Sequence, residues 1–176
     1  ELRARGGITS KDWVRRPRIG VLGEPMVLAN GRMPTDRWGR FTEMCVYLAL
    51  HKQVTADKFA DNLWPQGTPP TGETRRSDVS RCRSWMGTDP DGRKYLPDAR
   101  NRPYQLNRLL DIELFRRLRK RADAKASVGD TTGAIDDLTA GLNLVRGPVL
   151  AESPRDAYSW LTVSDPADLR AAPFMV

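Results

Sequence analysis

The 176 residues carry 39% hydrophobic and 29% charged side chains, five tryptophans and a formal charge of +7. This composition excludes a disordered or collagen-like chain, and the length suffices for a packed core without disulfide or metal support. The apolar run from Cys45 to Leu50 is far too short to cross a bilayer, so no membrane insertion is expected of this chain.

Two cysteines, Cys45 and Cys82, fall inside helical patterns without metal-ligand spacing. They read as buried, reduced thiols of a cytoplasmic protein. The chain opens on Glu1 without an apolar signal core and reads as a piece of something larger, whose remainder could be membrane-tethered. Charge is unevenly spread. Residues 1–108 hold 20 Lys and Arg against 12 Asp and Glu, whereas residues 109–176 hold nine against ten. The basic excess belongs to the first part, and a polyanion, most commonly nucleic acid, is its natural partner.

In chain order, residues 1–17 are Arg-rich and aperiodic and read as an arm or linker. From Arg18, Ile19, Val21 and Leu22 lead through a Gly-Glu-Pro corner to Met26-Val-Leu28 and an Asn30-Gly31 pair, which predicts two or three short strands with a hairpin at Asn-Gly. Trp38, Phe41, Cys45 and Leu48 recur at helical steps after Thr35-Asp36, predicting a first helix through about Leu50. Thr55 then caps a second helix bearing Ala56, Phe59, Ala60 and Leu63, stopped by Pro65. The Pro- and Gly-rich stretch 65–72 is a loop. A third helix spans Glu73 to Met86 and ends at Gly87. After a Thr88-Asp-Pro-Asp-Gly92 turn, Lys94-Tyr95-Leu96 and Tyr104-Gln-Leu106 read as a hairpin around a loop with Arg100 and Arg102. Beyond Leu110 come two more helices: a basic one with Ile112, Phe115 and Leu118 on one face, and one marked by Ala134, Leu138, Gly141, Leu142 and Val145. Together they make a helical hairpin the size of one tetratricopeptide unit, a unit that does not bury its own face alone. A short helix near Tyr158–Trp160 precedes the tail.

Strands, three helices and a hairpin in this order describe a winged helix-turn-helix. Stepping 100° per residue along the third helix puts Arg75, Val79, Cys82, Trp85 and Met86 towards the core and gathers Arg76, Ser77, Ser80, Arg81 and Ser84, with Arg83 beside them, on the opposite side. Guanidinium groups can bridge guanine O6 and N7, and serines permit close approach to a groove. Arg93, Lys94, Arg100 and Arg102 put four cations on the wing, where a duplex backbone or minor groove is met. An ordinary solvated helix face would mix Glu with Lys; here Glu73 and Asp78 are the acids, and Asp78 lies to the side.

No Gly-rich phosphate loop, nucleophile elbow or Cys/His cluster occurs, so neither enzyme chemistry nor a cofactor or metal is indicated. His51 reads as a helix-end cap or a solvated side chain. Asp136-Asp137 reads as a solvated helix exterior and Asp89/Asp91 as turn residues. Trp38, Trp64 and Trp85 read as core.

Arg18-Ile-Gly-Val-Leu-Gly-Glu-Pro25, Leu63-Trp64-Pro65, Val79-Ser80-Arg81-Cys82-Arg83 and Tyr104-Gln-Leu106 resemble the OmpR-type winged helix of actinobacterial antibiotic-regulatory activators. Asp111 to Gly147, with Phe115, Gly129-Asp130, Ala134, Leu138 and Leu142-x-Leu-x-Arg-Gly, is similar to the start of their bacterial transcriptional activator domain. The resemblance covers residues 18–147. It implies a four-stranded N-terminal antiparallel sheet, a third helix that reads DNA through Arg76, Arg81 and Arg83, and self-association or RNA polymerase contact through the helical module. That module stops here after one helical pair. The same domain pair also looks like the terminal part of large envelope-associated proteins with peptidoglycan-binding repeats.

The expected fold is thus α+β: an arm at 1–17, a winged helix-turn-helix at 18–108, a short tetratricopeptide-like all-α module at 109–162 and a tail at 163–176. The expected function is that of a DNA-binding transcriptional regulator of double-stranded DNA, its site formed by Arg76, Ser77, Ser80, Arg81, Arg83, Ser84, Arg93, Lys94, Arg100 and Arg102. The alternative is a non-catalytic protein-interaction module of a larger protein.

Overall fold

The computed structural model describes residues 16–64, 70–99, 102–151 and 157–163. Most of the expected arm, Arg100 and the tail beyond Val163 lie outside them. Strand β1 (Arg18–Gly20) pairs antiparallel with β2 (Met26–Leu28), Ile19 facing Val27. The helices α1 (Trp38–Leu50), α2 (Ala56–Leu63) and α3 (Gly72–Met86) follow. Then β3 (Leu109–Leu110) lies parallel to β1 on its other edge and runs into α4 (Asp111–Ser127), α5 (Thr131–Leu142) and the short α6 (Trp160–Val163).

The sheet order β2-β1-β3 differs from the expected four-stranded antiparallel sheet: among the described residues it is three-stranded and mixed. Asp111 closes one end of it. Its carboxylate accepts from the backbone N–H groups of Val21 and Leu22 at 2.9 Å, ending the ladder where α4 begins. Burial pushes this carboxyl above the usual range, opposed by the amide donors of Leu22, Val21 and Ile112 and by nearby Arg146. Residues 146–151 then extend the pairing, Leu150 N–H donating to Val21 and Arg146 N–H to Leu22.

Helix α1 is the centre of the main core. Every residue from Phe41 to Leu50 is buried, and burying a side chain such as Phe41, Met44 or Leu48 contributes about 1.5–3 kcal/mol. Trp38 departs from expectation. It is 56% exposed, because the first turn of α1 projects beyond its neighbours and burial starts only at Phe41. Trp85 is core, while Trp64 is half-buried with the Arg40 guanidinium stacked 4.4 Å from its ring centroid. The last tryptophan, Trp160, is fully buried edge-on to Tyr47 at 5.0 Å. His51 is half-buried, its Nδ1 2.9 Å from the Tyr47 carbonyl, in keeping with a helix-end role.

The α4–α5 hairpin is rotated from its expected packing. Ala134, Asp137 and Gly141 face α4, with Gly141 against the Phe115 ring, while Ile135, Leu138 and Leu142 point outward. Asp137 turns inward because α4 offers it Arg121 and Lys125, the latter at 2.9 Å. The Arg121 hydrogen bond holds the Asp137 carboxyl below the usual carboxylate range. Only Asp136 of that pair is on the exterior.

Asn30-Gly31 forms no hairpin turn. Gly31 lacks the positive φ that such a turn requires. Instead its N–H donates to Trp85 at 3.0 Å, Arg32 N–H donates to Ser84 at 3.1 Å, and Asn30 Nδ2 donates to Thr88 at 2.9 Å. The dipeptide therefore caps the end of α3, and Gly31 is needed because a Cβ would overlap the Ser84 carbonyl. Gly31→Ala should cost about 1–3 kcal/mol and lower Tm by several degrees in thermal unfolding. Gly39→Ala, facing open space in α1, should leave Tm unchanged or raise it slightly.

Candidate nucleic-acid interface

Helix α3 starts where Thr71 Oγ1 accepts from Thr74 N–H at 3.3 Å, and stops where Gly87 adopts φ 77°. Val79, Cys82, Trp85 and Met86 anchor one side in the core. The remaining circumference divides into three strips. In the middle, Ser77, Ser80 and Ser84 are exposed, together with Glu73.

One flank faces the loop before α1. There Arg81 lies 3.3 Å from Asp36, both side chains largely in solvent, and buried Asp78 pairs with Arg37 at 3.2 Å. An exposed pair such as Arg81–Asp36 contributes only about 0–1 kcal/mol, so Arg81 is readily recruited elsewhere. The other flank faces the wing. Arg76 is exposed, with no ion-pair or side-chain hydrogen-bond partner among the described residues. Arg83 is different: it is 16% exposed, donates from Nε to the Leu96 carbonyl at 2.9 Å and pairs with Asp98 at 3.1 Å. Its guanidinium holds the wing loop against α3. Helical angle does not reveal this role, since it only places Arg83 next to the exposed sector.

The wing is less regular than expected. The 88–92 turn closes as anticipated, with Thr88 bridging Lys94, Gly92 at φ 78° and the Asp89 carboxylate accepting from the Asp91 and Arg93 N–H groups. Between 94–96 and 104–106, however, no ladder forms among the described residues. Asn107 N–H donates to the Tyr95 carbonyl, and Tyr104 pairs with Val54, just before α2. Pro97 and Pro103 supply no N–H at the points where a ladder would continue. Arg93, Lys94 and Arg102 are exposed; Arg93 stands 4.0 Å from Asp91 and Lys94 2.8 Å from Asp98.

Of the expected site, then, Arg76, Ser77, Ser80, Arg81 and Ser84 share one uncovered face of α3, Arg93, Lys94 and Arg102 are exposed on the wing, and Arg83 braces the wing against α3. Arg108 escaped the sequence reading. It caps the end of α1 by donating to the Ala49 carbonyl at 2.6 Å and pairs with Glu113 at 2.7 Å. An Arg three residues before an Asp-led helix was its only signal.

Residues 110–172 match the bacterial transcriptional activator domain family, a little over a third of the chain. Among solved structures, Mycobacterium tuberculosis EmbR, determined in complex with a low affinity phosphopeptide, matches with a TM-score of 0.64 at 24% sequence identity. The alignment covers 84% of this chain and 40% of EmbR, so the chain spans well under half of that protein. No curated protein matches it. A segment of the chain thus matches the bacterial transcriptional activator domain family, and the fold is similar to that of EmbR; the resemblance drawn from its residues holds at that level. No helix among the described residues is long and apolar enough to cross a membrane.

Arg83→Gln removes the charged end of the wing brace and should cost about 2 kcal/mol in urea unfolding. Trypsin should then cut earlier after Lys94 and Arg100, which flank 96–99, while cleavage after Arg121 is unchanged.

Proposed function

We propose that this chain is a transcriptional regulator that reads double-stranded DNA with the outward face of α3 in the major groove and meets the backbone with the wing. The observation that carries the reading is the uncovered serine strip of Ser77, Ser80 and Ser84, flanked by Arg76 on one side and Arg81 on the other. Small hydroxyls let a helix seat deeply, and the two guanidinium groups stand where guanine edges would lie. Arg76 has no competing carboxylate among the described residues, and Arg81 has a weak one. In this reading Arg83 positions the wing, and Arg93, Lys94, Arg100 and Arg102 contact phosphates. The division into an arm at 1–17, a winged part at 18–108, a helical part at 109–162 and a tail is retained, the helical part serving RNA polymerase or a second copy.

Selection of bound duplexes from a random pool tests the reading. Arg76→Ala and Arg81→Ala should each weaken the selected duplex by about 1–3 kcal/mol and relax its sequence preference. Arg102→Ala should weaken all duplexes alike and reduce the salt slope by about one. Absence of any duplex affinity of the unmodified chain at low salt would sink the proposal.

One observation favours a second role beside the first. Ile135, Leu138 and Leu142 form an outward apolar stripe along α5, in keeping with a protein contact between copies of this chain. Leu138→Asp should abolish concentration-dependent dimerisation in sedimentation while leaving duplex affinity per chain intact. A wild-type chain that stays monomeric at high concentration removes this role.

A further inference from the structure

The start of α2, the first half of α3 and the loop after Leu96 enclose a cleft of about 560 Å³. Its floor is apolar: Phe59 and Val79 are buried, and the Tyr104 ring meets Phe59 edge-on at 5.3 Å between centroids. Its walls are charged. Arg83 and Asp98 satisfy each other on one side, and Asp57 lies at the start of α2. Arg75 and Arg76 remain. Neither has an ion pair or side-chain hydrogen bond with any described residue, and Arg75 is half-buried.

A partly desolvated guanidinium that no carboxylate pairs with directly gains from an anionic ligand. Ligand clefts of roughly 300–1,000 Å³ combine just these elements, an apolar lining and a few convergent polar groups. We infer that this cleft binds a small organic anion: a flat apolar body resting on Phe59, Val79 and Tyr104, with its carboxylate or phosphate between Arg75 and Arg76. A bare phosphate would satisfy the two cations but leave the apolar floor unused. A duplex could bring a backbone phosphate to the rim, yet its stacked bases could not enter.

Arg76 also belongs to the face proposed to read DNA, so an occupied cleft and a bound duplex compete for it. This competition rests on the duplex-reading proposal; occupancy of the cleft does not.

The test uses 1-naphthoate as probe on the full chain. Inorganic phosphate, which has the charge alone, and 1-naphthalenemethanol, which has the ring alone, are the controls. All are titrated at constant ionic strength and followed through backbone amide resonances. Saturable shifts should appear at 56–59 and 72–79, with naphthoate bound about tenfold or more tighter than either control. Arg75→Gln should weaken naphthoate about tenfold. Ala99→Phe, which fills the cleft and keeps both guanidinium groups, should abolish its binding while leaving duplex binding in place. Saturating naphthoate should weaken duplex binding several-fold in the unmodified chain and not in Ala99→Phe.

Absence of saturable shifts at millimolar naphthoate overturns the site. So does phosphate binding as tightly as naphthoate, or Ala99→Phe binding naphthoate normally. Duplex affinity unmoved by saturating naphthoate overturns the competition. If the chain binds no duplex at all, the naphthoate titration still decides whether the cleft is a site.

Discussion

A helix with ten consecutive buried residues has no solvent face over that length, and the rest of this molecule is arranged by the need to surround it. Along Phe41–Leu50 the sheet, α2, α3 and the Tyr158–Trp160 segment each take a share of the α1 surface. A helix buried on all sides must also satisfy its polar residues internally. Glu43 does so with Arg40 and with the backbone N–H of Tyr158, 115 residues further on. Its last turn is closed by Arg108. These two contacts bring the segment after the wing and the segment after the helical hairpin back to one helix. Packing against α1 in turn fixes the rotation of α3 about its own axis, and so decides which of its side chains face outward.

That rotation sorts four arginines of one helix into different environments. Arg75 is half-buried at the cleft, Arg76 is exposed beside it, Arg81 shares a solvent-exposed pair and Arg83 is spent on wing carbonyls and Asp98. Residue type does not distinguish them; exposure and the strength of the competing partner do. A surface pair gives way to a better counter-charge more readily than a guanidinium that donates to the Leu96 and Pro97 carbonyls and pairs with Asp98.

Local rules made much of this legible in the sequence. Helices were visible wherever a cap and a periodic apolar face coincide: Thr55 before α2, Gly87 after α3, and Gly129-Asp130 before α5, where Asp130 accepts from Gly133 N–H at 2.9 Å. What failed depended on contacts distant in sequence. Asn30-Gly31 has the composition of a turn, but the end of α3, more than fifty residues away, claims its amides. Leu138 and Leu142 have the spacing of an inward face, but Arg121 and Lys125 draw Asp137 inward and turn the leucines out. Trp38 continues an apolar stripe past the point where anything lies beneath it. The β3 pairing is two residues long, too short for any periodicity to reveal. The outward face of α3 was legible because it depends on helical angle alone, and the brace through Arg83 was not, because it depends on where a proline-bounded loop settles.

Strand β3 and the Asp111 carboxylate tie the residues before 108 to the helices that follow. A polypeptide ending at Asn107 or Arg108 would give up β3 and the Asp111 carboxylate together, leaving the Val21 and Leu22 amides and one edge of β1 bare. An uncovered strand edge invites pairing with another chain. Dissecting this protein at the boundary its composition suggests would therefore yield an aggregation-prone half, and loss of function on such trimming would report a torn sheet, not a missing activity.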